Sequence, residues 1–135
     1  MLKLIIGKKG SGKTKTLISM VNEALAMTKG DIVCIEKGDK LKFDIKYQCR
    51  LIDANEYAIC DGQSLYGFIA GILASNHDVT DLFIDSALKI CCDDPASFDL
   101  FLKELENLLK DRNINCTITS SLAVEDATDT VKKYL

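Results

Sequence analysis

The chain is short of the residues on which several kinds of site depend. Of its 135 residues one is histidine, His77, and two are arginine, Arg50 and Arg112. Six cysteines are present, Cys34, Cys49, Cys60, Cys91, Cys92 and Cys116, but no C-x-x-C. With no cysteines at ligand spacing and one histidine, neither a zinc site nor a disulfide framework is predicted. Cys34 and Cys116 fall within apolar strand patterns, so the set reads as free thiols of a reducing compartment, with vicinal Cys91-Cys92 a minority candidate for redox chemistry. No hydrophobic run reaches the roughly 18 residues that a membrane span needs. The longest, Leu65 to Ala74, is interrupted by Gly67 and Gly71. No basic-then-apolar leader opens the chain, so a cytoplasmic protein without a membrane partner is expected. Repeats, linkers and low-complexity tracts are absent too, and the length predicts one domain over residues 1–135.

Charged residues are in ordinary supply, but the two signs nearly cancel and are unevenly spread. The net value is −3, which makes nucleic acid an unexpected partner. Residues 1–50 carry eleven Lys and Arg against five Asp and Glu, net +6; residues 51–135 carry six against fifteen, net −9. Part of the basic excess is the stretch Lys37-Gly-Asp-Lys40-Leu-Lys42, read here as a solvated loop with a partner surface as the lesser alternative.

What is present is concentrated at the start. Met1 to Ile6 read as a short apolar strand that runs into Gly7-Lys8-Lys9-Gly10-Ser11-Gly12-Lys13-Thr14, an unbroken G-x-x-x-x-G-K-[ST], and a helical pattern follows at once. Strand before and helix after is the context expected of a phosphate-binding P-loop. A nucleoside triphosphate carries about four negative charges, which calls for donors and positive charge at close range. Gly7, Gly10 and Gly12 let the backbone approach the phosphates, and the helix N-terminus adds partial positive charge. Lys13 is expected to bridge the β- and γ-phosphates, Thr14 to give its hydroxyl to Mg²⁺, and Lys8, Lys9 and Ser11 to complete the loop.

Further along, a helix from about Gly12 to Thr28 carries a stripe of Leu17, Ile18, Val21 and Leu25, with Gly30 as its stop. Asp31 to Glu36 reads as a second strand. Phe43, Ile45 and Tyr47 alternate and Arg50 to Asp53 is strand-like, so 41–53 reads as an inserted hairpin or two short strands. Asp61 can cap a helix to about Asn76, on which Gly67 and Gly71 read as a flat face against the sheet. Asp81 to Asp85 is a strand. Asp94-Pro95 opens a helix with a stripe of Phe98, Phe101, Leu102, Leu105, Leu108 and Leu109. Ile114 to Ser121 is a last strand, and Val124 to Leu135 closes with a short helix. Strands alternating with helices predict a three-layer α/β domain, a parallel sheet with helices on both faces. In such sheets ligands bind at the carboxyl ends of the strands, which sets Glu36, Asp85 and Ser120 on the rim of the P-loop.

Leu82-Phe83-Ile84-Asp85 has the form of a Walker B strand, whose terminal carboxylate can hold Mg²⁺ through water opposite Thr14. With this order of elements the chain resembles P-loop NTPases of the additional-strand branch, which includes RecA/KaiC-like and AAA-type ATPases. The resemblance implies that the last strand lies between the P-loop strand and the Walker B strand and carries a polar sensor near the γ-phosphate. By position that is Thr119 or Ser120, with Ser120 taken as the catalytic candidate. The chain is also similar to small, uncharacterised bacterial P-loop ATP-binding proteins, some labelled as twitching-motility ATPases. The motor function is not carried over, because those motors use an additional N-terminal domain and histidine-containing motifs.

The departures shape the functional expectation. Many such ATPases place a catalytic Glu after the Walker B Asp; here Ser86 stands there. Glu36, at the end of the strand following the P-loop helix, is the candidate base, and Arg50 the candidate arginine finger, acting in trans. No N-K-x-D or D-x-x-G marks a GTPase, so ATP is the expected base by exclusion. Two arginines are few for the lid of a small-molecule kinase, which stays as a second alternative. The expected function is therefore ATP binding with weak or partner-dependent Mg-ATP hydrolysis, the partner being another protein or a second copy of the chain. The first alternative is a nucleotide-dependent switch or adaptor without turnover.

Overall fold

Residues along each strand alternate between the two faces of the sheet, and that alternation decides which helix each face meets. The computed structural model describes all 135 residues. Its elements are β1 (Leu2–Gly7), α1 (Lys13–Met27), β2 (Asp31–Glu36), β3 (Arg50–Asp53), α2 (Gly62–Ser75), β4 (Val79–Ile84), α3 (Ala87–Ile90), α4 (Pro95–Leu109), β5 (Asn115–Ser121) and α5 (Asp129–Lys132). The five strands form one all-parallel sheet in the order β1-β5-β4-β2-β3.

Val33 and Ile35 of β2, Leu82 and Ile84 of β4, and Cys116 and Ile118 of β5 point to one face, where they join the buried stripes of α2 and α4 in the larger core. Ile32, Cys34 and Phe83, one residue out of phase, point to the other and pack on Leu17 and Val21 of α1. The result is three layers: helix, sheet, helices. The caps fall where the side chains allow them. Asp61 accepts from Ser64 N–H while Ser64 Oγ accepts from Asp61 N–H, a capping box that starts α2. Asp94 accepts from Ala96 N–H just ahead of Pro95 at the first position of α4. Arg112 donates to Leu108 C=O at the end of α4, where a cation suits the helix dipole.

Two expectations fail, for identifiable reasons. There is no hairpin in 41–53, and of the two short strands only Arg50 to Asp53 forms, as β3; it pairs parallel to β2, so the chain has to cross back over the sheet between them. It does so through turns, and the buried residues are Leu41, Ile45 and Cys49, spaced by four and packed on α1, whereas Phe43 and Tyr47 face solvent. The period-two pattern was a coincidence laid over a period of four. Nor do Gly67 and Gly71 pack on the sheet. They lie on the solvent side of α2, with nothing within 4 Å of where a Cβ would stand; the sheet side is Leu65, Ile69 and Leu73. Residues 87–90, without periodicity long enough to read, form the extra turn α3.

All six cysteines are free, with Cys34, Cys49, Cys91 and Cys116 buried. Burial pushes the Cys91 thiol up to about 12, the opposite of what a redox-active thiol needs. No helix is long and apolar enough to cross a membrane.

Candidate functional site

The parallel register brings the carboxyl ends of β1, β5, β4 and β2 to one rim. Gly7 stands opposite Ser121, Ile84 opposite Ile118, and Ile35 opposite Ile84. A cleft of about 520 Å³ opens there.

Its floor is the loop from Gly7 to Gly12. At Gly7 a Cβ would stand 2.6 Å from Ser11 Oγ and 3.3 Å from Ser11 Cβ, so a larger residue there would have to turn the Ser11 hydroxyl aside. Gly10 and Gly12 have φ of +86° and +87° with open space around them; there the requirement is conformational rather than steric. No side chain caps α1, and its first bond runs from Thr16 N–H to Gly12 C=O. The N–H groups of Lys13, Thr14 and Lys15, all in the cleft wall, thus stand at a helix N-terminus suited to an anion. Lys13 is 9% exposed and folds back, its Nζ donating to Lys8 C=O at 3.0 Å and Ser11 Oγ at 3.4 Å.

Across from the loop, buried Asp85 gathers hydroxyl donors. Thr14 Oγ1 stands 3.1 Å from its Oδ1, and Thr119 Oγ1 donates to the same oxygen at 2.7 Å. Thr119 Oγ1 also accepts from Ser86 N–H at 2.9 Å, which fixes its rotamer and its direction of donation. Ser86 holds φ 57° and ψ 47°, a left-handed conformation that costs a non-glycine residue about 1 kcal/mol or more. Ser120 turns the other way. It is fully buried and accepts from Leu88 N–H at 3.2 Å, so it positions α3 and does not face the cleft.

Glu36 is buried beside the cleft, and its two carboxylate oxygens accept from Lys40 N–H and Leu41 N–H, each at 3.1 Å. Asp53 holds the same segment through Gly38 N–H at 2.8 Å. Glu36 therefore latches the 37–41 loop. Burial raises its pKa; the two backbone donors pull the other way, and the Asp85 and Asp53 carboxylates push up. A carboxyl raised on folding binds its proton more tightly in the native state, so stability falls as pH rises from the ordinary glutamate range through the raised value. Glu36→Gln is expected to remove that part of the pH dependence, and to loosen the loop by replacing two acceptor oxygens with one. Urea midpoints across acidic to neutral pH, compared between the two proteins, test this; parallel profiles would exclude it.

Arg50 lies at the amino end of β3, away from the rim, with Asp53 at the carboxyl end. It reaches no cleft residue within its own chain. The cleft wall instead collects lysines: Lys9, Lys13 and Lys15 from the loop and α1, Lys37 and Lys40 from the latched segment, and Lys89 from α3. Against them stand Glu36, Asp85 and Asp93. Composition located the basic half of the chain but not this convergence, and α3 left no periodic signal that would have drawn attention to Lys89. No family model matches the chain, and no curated protein matches its sequence.

Proposed function

We propose that this cleft binds a nucleoside triphosphate, ATP, with Mg²⁺, in the manner of an additional-strand P-loop NTPase, and that turnover is weak or depends on a partner. The observation that carries the reading is the convergence of a glycine-shaped loop, Lys13 and the Thr14–Asp85 pair in one lysine-rich cleft. Strand order supports it as well, since β5 lies between β1 and β4.

Mg²⁺ prefers hard oxygen ligands and keeps several waters, so it needs few groups from the protein. The Thr14 hydroxyl and the Asp85 carboxylate are such groups, and no cluster of three or more His, Cys, Asp and Glu competes as a metal site. When bound, the ion would neutralise charge on the phosphate oxygens. Thr14 and Asp85 would hold it, Lys13 and the loop N–H groups would orient the phosphates, and Thr119 would keep Asp85 in place.

A nucleotide switch without turnover is the second reading, and the Glu36 latch favours it. Both oxygens of Glu36, the carboxylate expected to act as the base, are engaged by Lys40 and Leu41 N–H, and Ser86 follows Asp85. Calorimetric titration with ATP and GTP, each with and without Mg²⁺, tests the common core. Micromolar, Mg²⁺-dependent ATP binding is expected, and absence of heat with either nucleotide would sink both readings. If the protein binds, specific activity separates them: turnover that rises with protein concentration indicates a residue supplied by a neighbour, and none at any concentration indicates the switch.

A further inference from the structure

The segment that crosses from β2 to β3 has two unlike sides. Its inner side, Leu41, Ile45 and Cys49, is buried on α1. Its outer side exposes Phe43 by 88% and Tyr47 by 90%, among the most exposed large apolar side chains in the molecule. Around Tyr47 runs a shallow groove of about 440 Å³ whose polar walls are Lys42, Lys46, Gln48 and Arg50; three cations line it and no carboxylate does. The one ion pair nearby, Lys42 with Asp39 at 3.4 Å, joins two exposed side chains and ties up little of the Lys42 charge. Lys42 Nζ also lies 5.2 Å from the centre of the Phe43 ring. The groove is held in shape, since Asn22 of α1 donates to Asp44 C=O at 3.1 Å and its Oδ1 stands 3.5 Å from Lys46 N.

We infer that this outer face binds single-stranded nucleic acid, with Lys42, Lys46 and Arg50 on the phosphates and Phe43 and Tyr47 as stacking platforms for bases. Cations lining a groove beside exposed aromatic rings are the combination that single strands require, because each base offers a face to stack and each nucleotide a charge to pair. The net charge of −3 argued against such a partner for the chain as a whole. The fold sets Lys42, Lys46 and Arg50 together on this face, while Lys37 and Lys40 line the cleft, and the acidic excess comes from residues 51–135. A duplex hides its base faces, and an anionic membrane would engage the charges without using ring stacking; a single strand uses both features.

Fluorescence anisotropy with labelled oligouridylate and oligothymidylate tests this on the full chain. No nucleotide is added, so a failure of the cleft to bind ATP leaves the result unaffected. Binding is expected at low salt, and with three phosphate contacts the plot of log K against log salt should fall with a slope of about −2, a loss of roughly twentyfold between 50 and 200 mM. The double variant Phe43→Ala/Tyr47→Ala should bind at least about tenfold more weakly, and Lys42→Glu/Lys46→Glu should also flatten the salt dependence. These side chains are exposed, so both variants should keep the wild-type thermal transition. No binding at low salt, binding that neither double variant weakens, or binding to phosphatidylserine vesicles alone would overturn the inference.

Discussion

Lys13→Ala is expected to weaken Mg·ATP binding by at least about a hundredfold, with the fold unchanged. A charge-assisted hydrogen bond is worth about 1.5–3 kcal/mol, and an ammonium that reaches two phosphates makes two of them. At about 1.4 kcal/mol per tenfold, losing both costs two powers of ten or more. The ammonium has little else to do in the protein. Its hydrogen bonds go only to Lys8 C=O and Ser11 Oγ within its own loop, and Ala is a better helix former than Lys at the start of α1. Calorimetry on the variant, alongside a thermal melt, separates binding from stability. Undiminished affinity would mean that the triphosphate sits elsewhere.

Phe101→Ala should have the largest effect on folding. Phe101 is 1% exposed in the middle of α4, within the core shared by α2, α4 and the sheet. The packing at that seam is close: a Cβ added at Gly62 of α2 would stand 3.2 Å from Phe101 Cβ and 2.7 Å from Ser97 C=O, and Gly62 N–H donates to Ser97 Oγ at 3.1 Å. Neighbours held this way cannot collapse into the space a ring leaves. The expected loss is about 3–5 kcal/mol, within a typical total of about 5–15 kcal/mol. Urea denaturation should show it as a lowered midpoint at unchanged slope; a cost below about 1 kcal/mol would show that α4 relaxes onto the sheet. ATP affinity measured well below the new midpoint should not change, because Phe101 lies in the α2–α4 layer and does not line the cleft.

Much of the fold was legible because much of it is local. The stripe of α4, the caps at Asp61 and Asp94, and the strand runs before Glu36 and Asp85 each lie within a window of a few residues, and each appears within a residue or two of where the pattern put it. The hairpin at 41–53 was misread because Phe43, Ile45 and Tyr47 alternate within a run of turns whose buried residues, Leu41, Ile45 and Cys49, recur every four, and such a short window cannot separate the two periods. Only Arg50 to Asp53 forms a strand, and it pairs parallel to β2. Gly67 and Gly71 were misread for a related reason: small residues suit either close packing or exposure, and the larger Leu65, Ile69 and Leu73 decided which side faced inward.

The site divides along the same line. Residues 7–14 could be read as a candidate anion loop because such a loop uses consecutive backbone groups, so its requirements are written consecutively in the chain, and the structure has a loop there between β1 and α1. Asp85 could be reached through the strand that carries it. The choice between neighbouring Thr119 and Ser120 could not, since adjacent strand residues face opposite sides of a sheet and the phase depends on what packs behind them. Thr119 meets Asp85, and Ser120 meets α3. Glu36 could be placed at the strand end, but the backbone that folds over it, at Lys40 and Leu41, could not be read from the sequence. The lysine ring around the cleft and the cation-lined groove beside Tyr47 are likewise products of the fold, drawn from segments far apart in the chain or turned outward by a buried stripe. Local order is encoded in neighbouring residues. Which side chains meet across the cleft depends on strand order and burial, and those are settled only when the whole core forms.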